Sequence, residues 1–161
     1  MDYQKPKEKI DQKAATAWRV TGLIYFLLSL LLIAAFFILS HYFGPFPTWI
    51  AYILGGLSLI IGILLIGIIP TIRMRYWCYE IREHEVDIQY GIIVIRRSLV
   101  PMARIQHVDT EQGPVLRHFK LATLSISTAG TTHKIPALKM TRALELRDLI
   151  SSLARVSDDD V

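Results

Sequence analysis

From Val20 through Ile72 every side chain is uncharged, and charged residues crowd both flanks of that gap. So long an apolar run exceeds one core helix of a soluble domain. It breaks at His41-Tyr-Phe-Gly-Pro-Phe-Pro47, where Gly44, Pro45 and Pro47 interrupt helical propagation and supply turn geometry. The pattern predicts two transmembrane helices, residues 20–40 and 48–69, joined by an extracytoplasmic turn at 41–47. Each is close to the ~20 residues that a helix rising about 1.5 Å per residue needs to cross a ~30 Å hydrocarbon layer. The first run outlasts the roughly 7 to 15 residues of a signal-peptide core, and an aromatic turn with a second span follows it where a cleavage site would stand, so the hairpin is expected in the mature protein.

Beyond Arg75 the period of the pattern changes from helical to two. Trp77, Tyr79 and Ile81 alternate with Cys78, Glu80 and Arg82, and Val86, Ile88 and Tyr90 alternate with Asp87 and Gln89, the mark of half-buried strands. Glu83-His84 is the turn between them. A third strand is predicted over Ile92–Val100, ended or placed at an edge by Pro101, and a fourth over Arg104–Thr110. Gly113-Pro114 opens a short helical turn through Phe119. Leu121–Thr128 alternates most cleanly, with Ala122, Leu124 and Ile126 inward and Thr123, Ser125 and Ser127 outward, and Ala129-Gly130 turns into a last strand over Thr132–Leu138. Leu146, Leu149, Ile150 and Leu153 then recur at helical spacing, predicting an amphipathic helix with Thr141 as its N-cap. Short antiparallel strands closed by one helix make an α+β module, here residues 73–156, flanked by an N-terminal segment (1–19) and an acidic tail (157–161).

Composition agrees: of 161 residues, 52% are hydrophobic and 20% charged, too apolar for an ordinary soluble domain. Lys5, Lys7, Lys9, Lys13 and Arg19 precede the first span and Arg73 and Arg75 follow the second, while the turn between carries no Lys or Arg, so both termini are expected to be cytoplasmic at the cell membrane. The single cysteine, Cys78, excludes an intramolecular disulfide and any site built on paired thiolates.

Three features carry candidate chemistry. In Arg104-Ile-Gln-His-Val-Asp-Thr-Glu-Gln-Gly113, His107 and Asp109 share a strand face, but no nucleophile elbow, metal-ligand spacing or phosphate-cradling loop accompanies them. No catalytic residue, metal or cofactor is expected, and the reading is structural. Ala51, Gly55, Ser58 and Gly62 lie on one face of the second span, where small residues let another helix approach closely, either the first span or a foreign one. From Arg73 to Val156 there are thirteen Lys or Arg against eight Asp or Glu. Arg73, Arg75, Arg96, Arg97 and Arg104, with Lys120 and Lys134, are candidate contacts for anionic lipid. They are scattered and accompany no recognition helix, which excludes nucleic acid as the expected partner.

Laid out in order, Tyr79-Glu-Ile, Asp87-Ile-Gln-Tyr-Gly91, Val100-Pro-Met-Ala-Arg-Ile-Gln-His-Val-Asp109, Gln112-Gly-Pro114 and Leu121-Ala-Thr-Leu-Ser-Ile-Ser-Thr-Ala-Gly130 resemble the bacterial pleckstrin-homology domain of the bPH2 type. With two spans ahead of it, nearly the whole chain is similar to the small YdbS-type membrane proteins. The resemblance implies a pleckstrin-like antiparallel β-barrel capped by the C-terminal helix and no catalytic residues. It also implies a module that binds protein, lipid headgroups or both, beside a larger membrane protein with several related domains. An accessory subunit of a membrane transport or export assembly is the alternative. Many relatives have glycine just before Leu121, where this chain has Lys120, a departure that argues against a tight-turn role there.

Overall fold

A computed structural model describes residues 6–44, 47–91 and 94–159, with side chains through Val156. Lys5 of the basic flank, Pro45 of the turn, Ile92 of the third strand and Asp160 of the tail lie outside the described residues. The chain divides into two compact units: residues 16–71, and a second made from the residues before 16 together with those after 71.

In the first unit, α1 (Lys13–Phe43) contains the first predicted span, and α2 (Trp49–Ile63) begins the second. The second span does not stop at Ile69. It passes through one π turn (Leu64–Ile68) into α3 (Ile69–Tyr76), so the helical run ends seven residues later than its hydropathy suggested. Pro70 is the reason for the irregular turn: it has no N–H to give, and its ring crowds the carbonyl four residues back, which a widened turn relieves. The Ile69 N–H accordingly reaches the Leu64 carbonyl, a π register. Both runs, Lys13–Phe43 and Trp49–Tyr76, are long and apolar enough to cross a membrane, and few of their residues are buried within the structure, unlike the core helices of a soluble protein.

Among the described residues the second unit holds seven strands. β1 (Glu8–Lys9), β2 (Cys78–Ile81), β3 (Glu85–Tyr90) and β4 (Arg96–Pro101) form one antiparallel sheet in that order, and β5 (Ile105–Glu111), β6 (Leu121–Thr128) and β7 (Thr132–Lys139) form another. The expected barrel is therefore two open sheets without a closed ladder among the described residues. α5 (Met140–Asp159) packs on β5, β6 and β7, setting Ala143, Leu146 and Ile150 into a core with Val86, Ile88, Leu121, Leu124, Ile126 and Ile135. α4 (Pro114–His118) is the predicted short turn.

Several expectations shift. The N-terminal segment is not a separate tail: Glu8 pairs with Tyr79 and Lys9 with Cys78, the Asp11 N–H donates to the Ala137 carbonyl, and Ile10 and Ala14 are buried. The domain thus begins before the hairpin and not at Arg73. The third strand starts at Arg96 because Gly91, at φ +128°, turns the chain out of β3. Pro101 closes that strand opposite Glu85. Asp87 and Ser125, both placed outward by alternation, are buried. Leu149 is exposed and Thr141 sits inside α5, whose first residue continues directly from β7, leaving no separate cap residue. α5 also runs through Asp159, so the tail begins as helix. Lys120 does occupy a tight turn, at φ +56°, with its N–H on the Arg117 carbonyl.

Candidate functional site

Among the residues singled out from sequence, the small-residue face of α2 has the most definite surroundings. Ala51, Ser58 and Gly62 are buried and Gly55 is half-buried. The Ser58 and Ser29 hydroxyls meet at 2.7 Å, with the Ser29 hydroxyl also donating to the Phe26 carbonyl. A β-carbon added at Gly62 would lie 2.5 Å from the Phe26 ring, and one at Gly22 would lie 2.9 Å from the Leu65 carbonyl oxygen. Close approach of two backbones without charge is how helices associate where water supplies no driving force. Nothing within 4 Å faces Gly55. A groove of about 210 Å³ runs between the two helices, lined by Tyr25, Phe26, Ser29, Leu54, Ser58 and Gly62 among others.

The five candidate lipid-contacting arginines separate into two kinds. Arg73, Arg75, Arg96 and Arg104 are exposed. Arg97 is committed to structure: its Nε donates to both carboxylate oxygens of Asp87, at 2.9 and 3.1 Å, and its Nη2 makes a third bond to the same group. Asp87 is fully buried, and a buried carboxylate persists as an ion only with such pairing. Sequence reasoning missed this pair because Asp87 reads as the polar half of an alternating strand. Its signal was Arg97 on the adjoining strand, two residues from Leu99, the residue opposite Asp87, and so on the same face.

His107 and Asp109 are brought together as their shared face required, Nε2 to Oδ2 at 3.0 Å, but both side chains are more than half exposed on β5. Beside them, Lys134 bonds Glu111 at 2.9 Å and holds that carboxyl below its ordinary pKa. The Ser127 and Thr132 hydroxyls meet at 3.1 Å. This is a polar sheet face on which most groups pair with one another, although the buried Ser125 hydroxyl between Asp109 and Lys134 has no hydrogen-bond partner among the described residues. Among the described residues no three His, Cys, Asp or Glu cluster as metal ligands.

A second cluster went unseen in the sequence because its members lie at opposite ends of the chain. Arg142 Nη2 donates to both oxygens of Glu8, at 2.9 and 3.0 Å, and Arg142 Nη1 donates to Glu145 at 3.2 Å. Tyr79 lies beneath; burial, and then the Glu8 carboxylate beside it, push its phenol up to about 12. The same carboxylate raises the Arg142 guanidinium. These contacts fasten β1 to the domain.

Comparison with known proteins gives a consistent picture. The profile described as bacterial PH domain matches residues 20–154. The chain is 49% identical over 158 residues to the "UPF0699 transmembrane protein YdbS" of Bacillus subtilis (strain 168), covering 98% of this chain and 99% of that protein. It is also 33% identical over 75 residues to the "UPF0699 transmembrane protein YdbT" of the same organism, covering 45% of this chain but 15% of that longer protein. No solved structure matches.

Proposed function

The chain belongs to the bacterial PH domain family and is a transmembrane protein, and from that premise we propose that it is a non-enzymatic docking module held at the inner face of the cell membrane, with both termini cytoplasmic. The observation that carries this reading is the pairing of β1 with β2. The hairpin is an insertion between two neighbouring strands of one sheet, so two covalent connections, not one, join the domain to its spans. A doubly tethered module has already given up part of the rotational freedom that association would otherwise cost, which suits a surface that meets a membrane partner in a fixed attitude.

The partner we propose is a larger membrane protein bearing related domains. In support, the relative named YdbT is a much longer protein with a segment similar to this chain, in the same organism as the full-length relative. Anionic headgroups are the second partner, met by exposed Arg73, Arg75, Arg96 and Arg104 at about 1 kcal/mol for each residue near the surface. Membership of the family points to a non-catalytic protein. The alternative, an accessory subunit of a transport or export assembly, drew on the small-residue face of α2. With Ser58 and Gly62 engaged by Ser29 and Phe26, that face favours a hairpin closed on itself.

Purification from native membranes in mild detergent, with co-purifying proteins and lipids identified by mass spectrometry, tests the proposal. A larger membrane protein with related domains is expected, together with enrichment of anionic lipid. Recovery of the chain alone, with lipid in bulk proportions, would refute it.

A further inference from the structure

The segment joining β3 to β4 exposes what a soluble turn hides. Val94 is 67% exposed and Ile95 56%, two adjacent apolar side chains turned to the surroundings and followed at once by exposed Arg96. The departure of the chain from β3 has a defined conformation. Gly91 sits at φ +128°, where only glycine is comfortable, and any β-carbon there would collide with the Val94 carbonyl oxygen. Its base is fixed as well: Tyr90 pairs with Arg96 in the ladder, and the Trp77 ring stacks on Tyr90 at 5.0 Å and 15°.

Connectivity says which end of the sheet this is. Lys9 pairs with Cys78, Cys78 with Gln89, and Gln89 with Arg97, so the turn lies just past the last row of the ladder. That row belongs to the end where β1 departs toward the first span and where β2 arrives, two residues after α3. Arg97 is spent on Asp87, whereas Arg96 has no ion-pair partner among the described residues. Apolar tips backed by an arginine match the interface of an anionic bilayer, where hydrocarbon lies immediately beneath phosphates. We propose that Val94 and Ile95 insert into the interfacial layer of an anionic membrane, with Arg96 on the phosphates. This third point of attachment, beside the two chain connections, would set the orientation of the domain. The inference rests on the membrane-anchored reading above.

The test uses the full chain in nanodiscs, with an environment-sensitive fluorophore on Ile95→Cys or, should that variant fail to fold, on Val94→Cys. Cys78 is buried and does not compete for label. In phosphatidylcholine discs containing phosphatidylglycerol, the emission is expected to shift to the blue and to be quenched by acyl-chain nitroxide lipids, within a few-fold of a probe at Ile63→Cys in α2. Adding Arg96→Glu should cut that quenching in the anionic discs and leave it unchanged in pure phosphatidylcholine. A water-like, unquenched signal at 95 beside a quenched one at 63 overturns the insertion alone. A blue-shifted but unquenched signal at 95 means that protein covers the turn, and also overturns it. Loss of quenching at both positions overturns the anchoring itself.

Discussion

Glu8 accepts two hydrogen bonds from a single nitrogen of Arg142 across 134 residues of chain, joining a strand that precedes the membrane hairpin to the helix that ends the domain. Both side chains are 43% exposed, so solvent screening holds the ion pair itself to about 0–1 kcal/mol. The larger contribution comes from what the pairing brings along. Burial of Ile10 is worth roughly 1.5–3 kcal/mol, and β1 covers the edge of β2. Glu8→Ala is therefore expected to lower stability by no more than ~1 kcal/mol, and removal of residues 1–12 by several times that, read from denaturant unfolding of the detergent-solubilised protein.

Arg97→Ala should be far more damaging than loss of any other candidate lipid-contacting arginine, because it strands the buried Asp87 carboxylate. A cost of about 3–5 kcal/mol is expected, against less than ~0.5 for Arg96→Ala or Arg104→Ala. Arg97→Lys should recover only part of it, since an ammonium cannot reproduce the paired donors. Thermal unfolding of the four variants decides the ranking.

Lys120 pays for its positive φ. A left-handed conformation costs a side-chain-bearing residue about 1–2 kcal/mol, and glycine's extra freedom in the unfolded chain takes back roughly 0.5–1. Lys120→Gly is expected to stabilise by up to ~1 kcal/mol, measured as a raised denaturation midpoint with unchanged slope. No gain would mean that the turn relaxes at no cost.

Tyr79 should titrate late. With its phenol pushed up to about 12 by burial and the Glu8 carboxylate, the folded state favours the neutral form. The associated stabilisation is complete below the ordinary tyrosine value near 10 and fades as pH rises through about 12. Absorbance titration should show one phenolate appearing after the exposed tyrosines, and Tyr79→Phe should remove that step.

In the hairpin, Gly62→Val is expected to cost ~1–3 kcal/mol by driving a side chain into the Phe26 ring, and Phe26→Ala should restore part of the loss. Pairing of the two spans, followed by disulfide capture between introduced cysteines, reports the outcome.

How much of this was legible beforehand depended on whether the determining contacts were local. The spans, the turn at Glu83-His84, the short α4 and the bounds of β6 follow from charge gaps, two-residue alternation and Gly-Pro punctuation, all read within a few positions. Alternation failed at Asp87 and Ser125 because each is covered on a face that the period assigns to water. Leu149 fails the opposite way, helical in spacing but left outside the core. β1 gave no signal, since two residues carry no period and their partners, Cys78 and Tyr79, come only after the hairpin. For the candidate site, spacing put Ser58 and Gly62, which meet Ser29 and Phe26, on one face of α2, and His107 and Asp109 on one face of β5. The commitment of Arg97 was not readable from spacing, because a pair's burial is a property of the folded sheet.

The insertion of the hairpin between β1 and β2 also dictates an order of manufacture. β1 precedes both spans in the chain, yet β2, the strand it pairs with, follows them. The leading dozen residues must wait as unpaired chain, and the sheet can close only from the side on which they were left. Pairing of β1 with β2 therefore requires both ends of the hairpin to lie on the same side of whatever it crosses.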